Sequence, residues 1–148
     1  ERHMVENPLP AHITLKGPFE TENLKELEKF LRNFCKNHTK TKIKINGFGN
    51  FHKHVIFLKP EFPKKAYNIQ KNLVKELSKN FGIKLHEFDI KFKPHATIAY
   101  GNTKKSFEDI WGYVNNMEKP EFNLKFDNIV ILKKPRKYWK IHKEFRLR

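Results

Sequence analysis

The sequence predicts an α+β domain built as two matching lobes, and three observations carry that expectation. The phrase His12-Ile13-Thr14-Leu15 returns as His95-Ala96-Thr97-Ile98. Stretches with apolar residues at helical spacing interleave with short strand-like runs bounded by Gly, Pro and Asn. Each half reads motif strand, glycine-containing break, helix, strand, strand, which an internal duplication explains. A duplicated unit sets its two equivalent strands around a pseudo-twofold axis, facing each other across a groove. All 148 residues are taken as one two-lobed domain, long enough to bury a core that 14 phenylalanines largely supply.

The first motif has Pro10 just upstream, and its alternation predicts a strand with His12 and Thr14 on one face and Ile13 and Leu15 on the other. Gly17-Pro18 breaks the chain. The spacing then predicts a helix over Thr21–Asn37, capped by Asn23 with Glu26 or else by Thr21, with Leu24, Leu27, Phe30, Leu31 and Phe34 as its apolar stripe. Two strands follow, Lys42–Gly47 and His54–Leu58, turning through Gly47-Phe48-Gly49-Asn50. A second helix is expected over Pro63–Asn80, ended by Phe81-Gly82. Lys84–Lys93 leads into the second motif strand, Pro94–Tyr100, and Gly101-Asn102 breaks it. A third helix is expected over Ser106–Met117, then strands Phe122–Phe126, Ile129–Leu132 and Tyr138–Leu147, the last two separated by a turn containing Pro135. A strand and helix precede the second motif but not the first. The first lobe is therefore expected to lack its opening strand and helix, leaving an unpaired edge.

The paired motifs suit chemistry at a phosphate. With an unperturbed pKa of about 6.5, one imidazole can be neutral and the other protonated near neutral pH, a base and an acid in one cleft. Hydroxyls of Thr14 and Thr97 can donate to phosphate oxygens as charge develops. His12, Thr14, His95 and Thr97 are the expected catalytic residues, with no metal and no cofactor. Four more are candidates for binding substrate. Lys16 shares strand parity with His12 and Thr14; Tyr100 follows the second motif but has the wrong parity unless a bulge intervenes. Phe51 could stack on a base or pack in the core, and His54 could line the groove. His52 and His54 lack a partner at metal-site spacing. His3, His38, His86 and His142 are read as surface residues.

A net charge of +15, from 31 Lys+Arg against 16 Asp+Glu, favours RNA or another phosphorylated ligand over an acidic protein. A well-solvated lysine-rich surface is the plain alternative. Without a long apolar run or a secretory signal, no membrane association is expected. The lone Cys35 argues against a disulfide framework and fits a reducing, cytoplasmic setting, as an inert buried thiol. No obligate protein partner is inferred, and a monomer is expected.

The two signatures His12-Ile13-Thr14-Leu15-Lys16-Gly17-Pro18-Phe19 and Pro94-His95-Ala96-Thr97-Ile98-Ala99 resemble those of the two-histidine (2H) phosphoesterase superfamily, in its 2′-5′ RNA ligase-like branch. Gly47–Phe51 with Val55–Leu58, and Tyr138–Lys140 with Glu144-Phe145, resemble that branch's middle and closing segments. The resemblance implies antiparallel sheets lining a central cleft with helices outside. It also implies metal-independent hydrolysis of RNA 2′,3′-cyclic phosphate ends or 2′-5′ linkages by His12, Thr14, His95 and Thr97. Ligands would be RNA ends or cyclic or 2′-5′ nucleotides. The alternative is a binding module with the same cleft and no turnover.

Overall fold

A computed structural model describes residues 9–148, and its helices lie where apolar stripes demand them. The first, α1 (Leu24–Lys36), buries Leu27, Leu31, Phe34 and Cys35. The long α2 (Lys64–Phe81) buries Ala66, Ile69, Gln70, Leu73, Val74 and Leu77, and ends at Gly82 with φ 64°, a left-handed value that glycine adopts without strain. Both helices share one core with Ile43, Phe62, Phe126, Ile129 and Phe145. A smaller core gathers Ile56, Phe107 and Val114 beneath α4 (Lys104–Asn115). Thr103 caps α4, its Oγ1 accepting from Ser106 N at 3.0 Å.

Strands β1 (Thr41–Phe51), β2 (Val55–Glu61), β3 (Ala96–Tyr100) and β4 (Glu121–Phe126) form a curled antiparallel sheet in the order β3-β2-β1-β4. Strands β5 (Asn128–Lys133) and β6 (Lys140–Arg146) pair only with each other among the described residues. The expected α+β architecture is present, with three local differences. Glycines 47 and 49 do not make the β1–β2 turn. Gly47 (φ 85°) sits where the β1–β2 register shifts between Ile45 and Phe48, so β1 runs on to Phe51 and turns at His52-Lys53, both with positive φ. The stretch expected only to lead into the second motif contains a short helix, α3 (Glu87–Ile90).

The first motif is the third difference. Residues 12–14 belong to no strand, and the second motif's ladder starts at Ala96, one residue after His95. Both catalytic-candidate histidines therefore stand outside the ladders, and something other than sheet pairing must hold the first segment. Expectations about the chain's front, and about His3, fall outside the described residues.

Candidate active site

One open hollow of about 310 Å³ is lined by His12, Thr14, His95, Thr97, Ile98 and Tyr100. Residues far apart in sequence thus converge in the arrangement the repeated phrases predict. No Lys or Arg among the described residues lines it, so positive charge against a phosphate inside would come from the imidazoles themselves. A larger hollow of about 440 Å³ lies between the segment that follows α1, Asn37–Thr39, and α2. Its histidine, His38, is stacked on Phe34 with centroids 3.8 Å apart and hydrogen-bonded to Phe34 O, and no second described histidine lines it.

The two rings are held alike. His12 Nδ1 lies 2.9 Å from Pro10 O, and His95 Nδ1 lies 2.9 Å from Lys93 O, each carbonyl two residues upstream. A carbonyl oxygen only accepts, so Nδ1 carries the hydrogen in both rings. Among the described residues nothing bonds either Nε2, which has a lone pair when the ring is neutral and a proton to give when it is charged. Pro94 aids the second case, since it bars Lys93 from helical backbone angles.

The surroundings differ. His12 is exposed, whereas His95 is half-buried among edge-on aromatic rings. Its centroid lies 4.8 Å from Phe51, 5.5 Å from Phe57 and 6.2 Å from Phe88. Phe51 is thus packed behind His95 and tilted onto Phe57, and does not line the hollow. Gly49, directly across from Phe57, makes this possible, because a Cβ there would meet the Phe57 ring at 2.6 Å.

Tyr100 lines the hollow because β3 carries the bulge that parity required. Its pairing to β2 skips Ile98, between Ile56–Ala99 and Phe57–Thr97. That extra residue also brings Ile98, 44 % exposed, to the hollow, a position the alternation rule assigns to the other face. His54 lies in the hairpin turn beside Tyr100, with Nδ1 bonded to Gly101 O at 2.8 Å, outside the lining. His142 is bonded to Glu28 of α1 at 2.7 Å; this bond, above other causes, holds the Glu28 carboxyl below its ordinary range.

Lys16 requires correction. Expected beside the phosphate, it instead forms an ion pair with Asp89 of α3 at 2.8 Å, with side chains 6 % and 0 % exposed. Outside a strand, the parity that aimed Lys16 at the groove does not apply. Asp89 also accepts from Gly17 N at 2.8 Å and His86 N at 2.9 Å. Burial pushes its carboxyl up, but Lys16 and these two backbone donors outweigh burial and hold it below the usual carboxylate range. Cys35 has no such partners, and burial pushes its thiol up to about 11. Among the described residues no three His, Cys, Asp or Glu side chains are grouped to hold a metal ion, and no helix is long and apolar enough to cross a membrane.

Comparison with known proteins agrees with this architecture. A family model described as the 2′-5′ RNA ligase superfamily matches residues 6–137. A Geobacillus sp. (strain WCH70) protein bearing the name “putative phosphoesterase” is 27 % identical over 84 % of this chain and 70 % of its own length. One from Geobacillus thermodenitrificans with the same name is 30 % identical over 72 % of this chain, and one from Geobacillus kaustophilus 29 % over 70 %. The matches span only 60 % and 58 % of those two relatives. The crystal structure of TT0787 of Thermus thermophilus shares the fold, with TM-score 0.59, 19 % identity and coverage of 95 % of this chain and 81 % of that one.

Proposed function

The chain belongs to the 2′-5′ RNA ligase superfamily, and from that membership we propose that it is a metal-independent phosphodiesterase acting on RNA 2′,3′-cyclic phosphate ends or 2′-5′ linkages. The supporting observation is the hollow where two histidines, each fixed through Nδ1, meet two threonines. One neutral imidazole takes a proton at Nε2 from water as the water oxygen bonds to phosphorus. The bond from phosphorus to the departing ribose oxygen breaks, and the other imidazolium gives that oxygen its proton. Thr14 and Thr97 donate to the non-bridging oxygens, whose charge grows as a diester becomes a monoester. Both proton transfers are thereby supplied by side chains. The proposal places the enzyme in the cytoplasm, on the strength of its lone cysteine.

The test is hydrolysis of a 2′,3′-cyclic mononucleotide, a short cyclic-phosphate RNA and a 2′-5′-linked dinucleotide in the presence of EDTA. His12→Ala and His95→Ala should each lower kcat by about 10² to 10⁴, the usual worth of one proton transfer, with circular dichroism unchanged. Wild-type turnover in both variants would refute the assignment. Binding without hydrolysis by the unaltered protein would favour the binding module.

A further inference from the structure

The first motif lies in no strand, yet it must meet the second across the hollow. Ile13 and Leu15 pack against the main core, and a buried polar set fastens the segment further. Leu15 O accepts from Gln70 Nε2 at 3.1 Å, and Gly17 N donates to Asp89 Oδ1 at 2.8 Å. Between them Lys16 reaches Asp89 Oδ2 at 2.8 Å, and Gln70 Nε2 also donates to Asp89 O at 3.0 Å. Gln70 and Asp89, 3 % and 1 % exposed, are the buried polar residues of the described chain. Residues 15–17, which directly follow Thr14, are therefore fastened at three points to α2 and α3.

Asp89 has a second attachment. It lies in α3, whose backbone continues through Lys91–Pro94 straight into His95, and Phe88 beside it meets the His95 ring edge-on. One carboxylate thus joins the end of the first motif to the lead-in of the second. A core needs no such device for stability alone, because an ion pair out of water offsets its own desolvation only with ideal partners. This one has an ammonium and two backbone N–H groups, all from the segments that carry or flank the motifs.

We propose that Asp89, with Lys16 and Gln70, is a positioning cluster that sets the placement of His12 against His95. His95 has β3 immediately after it to fix its backbone; His12 has no ladder, and relies on this cluster together with the packing of Ile13 and Leu15 against the main core. The kinetic arm of the test rests on the phosphodiesterase reading, while the spectroscopic arm does not.

The full chain, ¹⁵N-labelled, is compared with Gln70→Met and with the double variant Lys16→Met/Asp89→Asn, which removes both charges and leaves neither buried alone. Both should retain a cooperative melt. The ring ¹⁵N signals of His12 should move away from the Nδ1–H pattern that its bond to Pro10 O enforces, while those of His54 and His142 stay. Turnover of a 2′,3′-cyclic mononucleotide should lose about 10² in kcat, the scale of a 1 Å misplacement, with KM little changed. An unmoved His12 signal in a folded variant overturns the proposal, as does an equal shift of every histidine. Failure of both variants to fold also counts against it, since the cluster would then be structural only. A wild-type protein without turnover sinks the phosphodiesterase reading and leaves the ¹⁵N result to decide this one.

Discussion

Gly49 shows how one residue without a side chain can govern the setting of a candidate catalytic one. The Phe57 ring occupies the space a Cβ would need, and Phe57 in turn packs edge-on against His95. Gly49→Ala forces that ring aside, an overpacking that typically costs about 1–3 kcal/mol. We expect a lower melting temperature together with loss of turnover beyond the drop in folded fraction; full activity in the folded variant would show that His95 does not depend on the ring. At this scale the sequence is legible where a residue type repeats. His12, Thr14, His95 and Thr97 announce themselves as a pair of phrases. Asp89 does not, because its importance lies in partners at positions 16 and 17, which only the fold brings to it. Lys16 misled for the same reason: parity gives a direction only to residues in a real strand.

Among elements, helices were legible to within a few residues, since a stripe such as Leu27-Leu31-Phe34 has one helical solution. Irregular elements were not. The bulge in β3, the unladdered first motif and the four-residue α3 all arise from tertiary contacts that leave no periodic trace. Joining α3 to the first motif through a carboxylate also has a pH consequence. The folded Asp89 titrates below its unfolded value, so between the two the unfolded chain binds more protons and stability rises with pH. The contribution is complete above the ordinary carboxylate range, about 3.9, and is lost as pH falls through the lower folded value. Urea melts of the wild type should weaken as acid is added in that window, and the Lys16→Met/Asp89→Asn variant should show a flatter acid arm. Parallel arms in the two proteins would mean that Asp89 contributes nothing to acid stability.

For the whole molecule, charge is the dominant property. The chain carries a surplus of +15 while no described Lys or Arg lines the hollow, so on the phosphodiesterase reading the pull on an RNA strand would come from beyond the hollow. RNA and mononucleotide substrates should therefore separate by salt. For a strand whose phosphates make three contacts, KM should rise about twentyfold from roughly 50 to 200 mM salt, from a slope near −0.7 per phosphate. A cyclic mononucleotide should change far less, and equal responses would argue that only the terminal phosphate is bound. The fold also imposes an order of assembly. Arg148 N reaches Cys35 O and His38 O, Arg148 O accepts from Lys40 N, and β6 carries the His142 bond to α1. Pairing of such distant segments is slow, because the loop must close before any contact rewards it. On the ribosome, both histidines emerge well ahead of residues 140–148, which complete the packing around α1, so the nascent polypeptide stays unfinished until that stretch clears the exit tunnel.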